Sequence, residues 1–455
     1  MTARVDAVAL APTRTCPVSF PQESLWSPSG LSAINVPAVL RFRGRLDVGH
    51  LYQVLGVLVG RHEALRTVLG RTPDGALEQR VAPTGSLPVE TEQHRGTLEY
   101  VFPGLLLAGS ERPFRLDGGP LARAELHGFG PQDHLLIVWM HHAVSDLAAS
   151  RVVVEEIKQL WTGARPTPVQ AQMGDFAVRE RAARPTMAQQ NYWANALRSA
   201  DDRLGLPVPA GTGHLAVRPS LPLLPREVLD SLEQLAARHR TTLTAVLAAA
   251  VLAAHTGGRA DSGRVVLGLT MSNRELPRFR STVGCLTDQL PLVVDTGGDP
   301  TFSELLGRVR EALLDAYDHR LPLGALLPLL RRQQSPVFAV NLNFLPPSPP
   351  SRPSPTSPPG PYPASQGPAD AAPPSELEFP YGIVKTRPDP WWLGDAVLAY
   401  RPRIDGRGLG GEIEGDAALH SVDAVARHGQ RFSALLAKAA WNPGATVGSL
   451  VVPMG

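Results

Sequence analysis

Two adjacent histidines and an aspartate, in Met140-His141-His142-Ala143-Val144-Ser145-Asp146, are the residues of this chain whose types and spacing best suit chemistry. An imidazole with an ordinary pKa of about 6.5 can take a proton from an amine or hydroxyl as that group attacks a carbonyl. Neighbouring side chains leaving a strand point to opposite sides, so one of His141 and His142 faces a cleft while the other packs beneath it. Asp146, one turn on, can accept a hydrogen bond or pair with an arginine and hold the loop rigid, the support a catalytic base needs. Alone, His141 reads as a histidine satisfied by backbone bonds; the three together read as a site. A metal there would need a third ligand, and the sequence offers no HExxH and no cysteine partner, so neither a metal nor a bound cofactor is expected. No GxSxG elbow supports a serine nucleophile.

The elements that must position these residues can be read around them. Leu135 to Met140 is a continuous apolar run, which predicts a buried strand, and Leu147 to Trp161 carries Val152, Val153, Ile157 and Leu160 at helical spacing. The pair therefore sits at a strand's carboxyl end, where ligands commonly bind. Earlier, Asp47 predicts the N-cap of a helix bearing Leu51, Val54, Leu55 and Leu58, and Leu121 to Leu126 predicts a second strand. Beyond Gly174 the pattern predicts a helix with Pro225 at its first position and strands over Val265 to Met271 and Leu290 to Asp295. A helix capped by Thr301 follows, then strands over Val337 to Phe344 and Ala396 to Tyr400 and a helix from Ser421 to Ala439. Helices and strands that do not alternate strictly imply an α+β fold in two halves, 14–173 and 174–455, with a cleft between them as the default binding site. Within the second half, 346–376 holds 13 prolines among 31 residues, a composition that predicts an extended, solvated insertion.

Composition narrows the partners. With 455 residues, 43% of them hydrophobic and 19% charged, the chain can bury two cores, and a net charge of +2 gives no field suited to nucleic acid or an anionic membrane. Two cysteines, Cys16 and Cys285, are too few for a disulfide framework and fit a reducing, cytoplasmic setting. The first seventeen residues make a poor secretory signal. Leu243 to Ala254 is too short to span a membrane and reads as a buried core helix.

The histidine segment resembles the HHxxxDG signature of condensation domains from nonribosomal peptide synthetases, a signature shared with polyketide-associated acyltransferases and wax ester synthases. Other segments narrow the resemblance. Phe20-Pro21-Gln22-Glu23-Ser24-Leu25-Trp26 is similar to the opening motif of condensation domains, and Arg61-His62-Glu63-Ala64-Leu65-Arg66-Thr67 matches their second motif nearly letter for letter. Gly174-Asp175-Phe176-Ala177 is similar to the segment joining their two halves. Val283-Gly284-Cys285-Leu286-Thr287-Asp288-Gln289-Leu290-Pro291-Leu292 is similar to the fifth motif, and Ser335-Pro336-Val337-Phe338 to the last. The order runs from Phe20 through Asn442 and leaves no room for an adenylation or carrier domain, so the resemblance implies a free-standing, monomeric enzyme of secondary metabolism.

It further implies two chloramphenicol acetyltransferase-like subdomains in a V-shaped pseudo-dimer with a tunnel between them. The donor would arrive on the phosphopantetheine arm of a peptidyl or acyl carrier protein, and a small-molecule or carrier-bound amine or alcohol would accept the acyl group. By the same resemblance His142 is the catalytic histidine, His141 supports the loop, and Asp146 forms a structural ion pair with Arg274. Two residues depart from the pattern: Leu147 replaces the usual glycine and Asp288 the usual asparagine. Both are expected along the substrate tunnel, Leu147 narrowing it or altering the helix start and Asp288 placing negative charge near His142. A polyketide-associated ester synthase and a noncatalytic module that recruits a carrier protein are the alternative functions.

Overall fold

A computed structural model describes residues 14–451 apart from 28, 199, 202–203, 205, 207–215, 260–262, 330–337, 347–373 and 377–395. The chain forms two compact units: the first contains residues 14–183 and 272–287 with the strand Ser375–Glu376, and the second contains 184–271, 288–349 and 381–455.

The first unit is built on a five-stranded sheet in the spatial order Ser375–Glu376, Asn35–Arg43, Asp133–His141, Ala122–Gly128, Val89–Gln93. Asp133–His141 is the central strand, and every residue from Leu135 to His141 is buried, which is why its apolar run does not alternate. On the sheet lies the helix Leu147–Trp161, with the bounds its spacing predicts; Val153, Val154, Ile157, Leu160 and Trp161 are buried, and it packs on Asn35–Arg43 and on the helix Val48–Arg61. Asp47 caps that second helix as expected, its carboxylate accepting from the His50 N–H. Across the sheet, Gly109 in the helix Leu98–Glu111 lies where a Cβ would come 2.2 Å from the Trp139 ring, so only glycine lets this helix approach.

One expectation is corrected here. The boundary placed between 173 and 174 falls after 183, because Gly174-Asp175-Phe176-Ala177 opens the helix Met173–Ala182, which is part of the first unit: Asp175 pairs with Arg14, and Phe176 meets Phe279 edge-on. Of the proline-rich stretch, 347–373 lie outside the described residues. Ser375 and Glu376 pair with Arg41 and Leu40 in an antiparallel ladder.

The second unit has a seven-stranded mixed sheet whose main path runs Ala216–Val217, Gly408–Asp416, Ala396–Asp405, Phe338–Leu342, Arg264–Met271, Asp288–Asp295. Phe338–Leu342 is parallel to both its neighbours. The expected strands and helices of this half are present, several longer than predicted; the strand expected over Val337 to Phe344 is shorter, Phe338–Leu342, with Val337 outside the described residues, and Thr301 forms a full capping box with Glu304. Leu243–Thr256 is a core helix with almost no exposed face, closed by Gly257 in the left-handed conformation at φ 64°. Pro225 is not the first helical residue: it ends a short strand paired to Gly408 and caps the helix Arg226–Arg238, and its extended backbone, ψ 166°, serves both roles. Of Ser335-Pro336-Val337-Phe338, only Phe338 is among the described residues. No described helix is long and apolar enough to cross a membrane.

Candidate active site

The central strand ends at His141 and the chain turns at once into a single 3-10 turn, His142–Val144, before Asp146 caps the helix Leu147–Trp161. The alternation of a strand separates the two imidazoles: His141 is fully buried and His142 is partly exposed. His141 Nδ1 accepts from the Ala143 N–H at 3.1 Å, its ring lies edge-on to Phe114, and Nε2 has no hydrogen-bond partner among the described residues. Burial, with the neighbouring His142 adding to it, pushes His141 down to about 3, so it is a neutral ring whose proton sits on Nε2. His141 therefore shapes the turn and does not exchange protons near neutrality. The His142 backbone is fixed by its N–H donating to the Ile34 carbonyl at 2.7 Å, and its Nδ1 lies 3.7 Å from the Cys285 thiol.

Asp146 is the hub. One carboxylate oxygen accepts from the Ala149 N–H at 2.8 Å, which caps the helix; the other accepts from Arg274 Nη1 at 2.8 Å, the N–H groups of Leu286 and Thr287 at 3.0 and 3.2 Å, and the Thr287 hydroxyl at 3.1 Å. Burial alone would raise its pKa, but the Arg274 charge and these donors outweigh burial and hold the carboxyl below its ordinary value. Arg274 is buried as well, 8% exposed; Nη1 also donates to the Ser272 carbonyl and Nη2 to the carbonyls of Thr282 and Gly284, while Nε has no hydrogen-bond partner among the described residues. The pair that the resemblance implied is thus formed, and it ties 272–287 to the histidine turn. Gly284 lets 272–287 pack closely on the helix Met173–Ala182: a Cβ there would lie 2.7 Å from the Met173 side chain.

Leu147 is the first residue of the helix and its side chain is 41% exposed; the helix starts regularly without the glycine. Asp288 belongs to the second unit. There one carboxylate oxygen accepts from its neighbour Gln289 N–H at 2.8 Å and the other from the Leu323 N–H at 3.0 Å, at the start of a short helix. Burial raises its pKa to about 6. A carboxylate serves both donors, whereas an amide has one acceptor for the two.

Three contributors were not singled out from sequence. Gln22, inside the opening motif, donates from its side-chain amide to the Ala143 carbonyl at 2.9 Å, so that motif braces the histidine turn from a third direction. Cys285 was read only as an unpaired thiol, although it lies within the fifth motif. Glu156 has no motif of its own; it accepts from Arg61 through both oxygens, at 2.8 and 3.0 Å, and lies 2.9 Å from His62 Nε2. Arg61-His62 of the second motif thereby anchors the helix that Asp146 caps.

Comparison with known proteins gives a consistent picture. A family model described as the condensation domain matches residues 13–348. Malpinin synthetase of Mortierella alpina is 30% identical over 350 residues, 71% of this chain and 4% of that protein. Tyrocidine synthase 2 of Brevibacillus parabrevis is 30% identical over 321 residues, 67% of this chain and 9% of that protein. The chain spans less than a tenth of the length of the curated relatives it matches. Among solved structures, the first condensation domain of the calcium-dependent antibiotic synthetase, in complex with a substrate analogue, has a TM-score of 0.74 at 19% identity and covers 98% of this chain and 100% of its own. The complex of the X-domain and OxyB from teicoplanin biosynthesis has a TM-score of 0.75 at 21% identity, covering 98% of each chain.

Proposed function

The chain belongs to the condensation-domain family, and from that premise we propose that it is an acyltransferase joining a carrier-tethered acyl or aminoacyl thioester to an amine or alcohol. The observation that carries the reading is the histidine turn itself: a partly exposed His142 on a backbone braced by the buried Asp146–Arg274 pair, by Gln22 and by neutral His141. Rigid support of this kind is what holds an imidazole within hydrogen-bond reach of a reacting atom. In the proposed step the nucleophile attacks the thioester carbonyl and passes its proton to His142. The carbonyl then reforms as the carrier's phosphopantetheine thiol leaves with a proton, and no covalent bond to the enzyme is made. Delivery on the phosphopantetheine arm makes a peptidyl or acyl carrier protein the donor partner, and the acceptor is either diffusible or carrier-bound.

With a carrier protein loaded with a thioester donor and a nucleophilic acceptor, His142→Ala is expected to lower turnover by about a hundredfold or more, the usual contribution of general acid–base catalysis. Full transfer by the variant would refute the role. Mass spectrometry of the product separates amide from ester. A second reading, a noncatalytic recruitment module, takes its support from the likeness to an X-domain seen in complex with OxyB. Binding of a loaded carrier with no product over many equivalents of enzyme would favour it.

A further inference from the structure

At the opposite end of the same sheet lies a second group of histidines that the transfer reaction does not use. Val89–Gln93 is the edge strand, parallel to Ala122–Gly128, and the register sets Glu92 beside His127. The chain continues to His94, whose N–H donates to the Gly128 carbonyl at 2.9 Å and whose ring stacks on Phe129. His94 Nε2 and His127 Nδ1 are 2.9 Å apart, and a carboxylate oxygen of Glu92 lies 3.6 Å from the first and 3.7 Å from the second. On the far side of the His127 ring, Nε2 is buried with no hydrogen-bond partner among the described residues, and it points toward Glu125, whose oxygen is 3.5 Å away and is itself held by the Trp139 indole N–H at 2.9 Å.

From this juxtaposition of Glu92, His94 and His127 we propose a zinc site that clamps the edge strand to its neighbour, with water as fourth ligand. The donor set is that of a zinc centre, two imidazole nitrogens and one carboxylate. With zinc–ligand bonds of about 2.05 Å, the nitrogens subtend roughly 90° and each nitrogen–oxygen pair roughly 125° at the metal, values that bracket a tetrahedron. The side chains therefore need shift only a few tenths of an ångström. The tautomer is already suitable at His127: a proton on Nε2 facing Glu125 leaves the Nδ1 lone pair for the metal, the carboxylate–histidine–metal relay that orients such ligands. Without metal, His94 Nε2–H donates to His127 Nδ1; binding moves that proton to His94 Nδ1 and replaces one hydrogen bond by two coordination bonds. The site is structural. His127 is paired with Leu135, five residues along the central strand from Met140, so it lies roughly 17 Å from the histidine turn at about 3.3 Å per residue.

The test uses tag-free, EDTA-treated full chain titrated with Zn2+ by calorimetry, with Co2+ as a visible-absorption probe. One equivalent of zinc should bind, with a rise in melting temperature, and His94→Gln and His127→Gln should each weaken binding at least tenfold, Glu92→Gln less. Tetrahedral Co2+ bands should vanish in both histidine variants. His94→Gln, at the half-open rim, decides the matter should the deeply buried His127 variant fail to fold. Absence of binding, or binding that is the same in wild type and His94→Gln, overturns the proposal and leaves the two rings as a plain hydrogen-bonded pair. Transfer activity should be unaffected by EDTA, so this outcome stands apart from the assignment of His142.

Discussion

Asp146 shows what a single carboxylate can organise. Five donors converge on it in a buried setting, one from the helix it caps and four from 272–287, and only that density of partners keeps it ionised. Replacing Arg274 by alanine would leave this charge buried with its main countercharge gone, and the expected cost is about 3 to 5 kcal/mol of stability, read as a lower urea midpoint. An unchanged midpoint would show that the backbone donors suffice. Asp288 makes the contrasting case. Its carboxyl titrates at about 6 in the fold against an ordinary value of 3.8, so between those pH values the folded chain keeps a proton that the unfolded chain has released. The stability it lends is greatest below about pH 4 and is lost as the pH rises to about 6. Relative to Asp288→Asn, wild type should therefore lose stability across that window, measured as the difference in urea midpoints at pH 4, 5, 6 and 7; a flat difference would refute it. At this scale, alternation on a strand was enough to separate the two histidines, and Arg274 was legible only through family resemblance. Cys285 and Thr287 were not legible as neighbours of the turn, because nothing local in sequence reports which distant loop a carboxylate will gather.

Between elements, the second motif turns out to be a joint. Arg61 ends the helix Val48–Arg61, His62 caps it, and both reach Glu156 in the middle of Leu147–Trp161, with a second tie from Gln172 to the Arg61 carbonyl at 3.0 Å. These residues thus hold the orientation of the helix whose first turn carries Asp146. Glu156→Ala should cost about 3 to 5 kcal/mol, since it strands Arg61 in a largely buried position, and adding Arg61→Ala should cost little more; additive losses in a double-mutant cycle would show the two residues to be independent. Periodicity gave the bounds of Leu147–Trp161 because its buried face repeats regularly, and Thr301 and Asp47 were legible as caps because their chemistry is local. Pro225 was misplaced by one position since its fixed φ suits a cap and a strand end as well as a first helical turn. The helix Met173–Ala182 was hidden by a weak apolar face, and only its pairing with Arg14 and Phe279 shows where it belongs.

Over the whole molecule, two halves were readable from composition and pattern, but their membership was not, because the first unit draws residues from three stretches of chain. A fragment of residues 14–183 lacks Arg274, Leu286 and Thr287, which supply four of the five donors to Asp146, and the strand that pairs with Leu40 and Arg41. It should be poorly soluble or molten, with weak near-ultraviolet dichroism and binding of a hydrophobic dye; a cooperative thermal transition in that fragment would refute this.

Those five bonds also carry a clock. On the ribosome Asp146 is made long before its partners: 128 residues separate it from Arg274 and 141 from Thr287, which at roughly 5–20 residues per second is a wait of about 6 to 28 seconds. Throughout that interval the histidine turn hangs on a buried carboxylate without its countercharge, and the sheet edge at Arg41 stays open to other strands until residue 376 emerges. The histidine turn is therefore among the last parts of the first unit to mature, and the nascent chain is most exposed to misassembly and most in need of a chaperone just before that unit is complete.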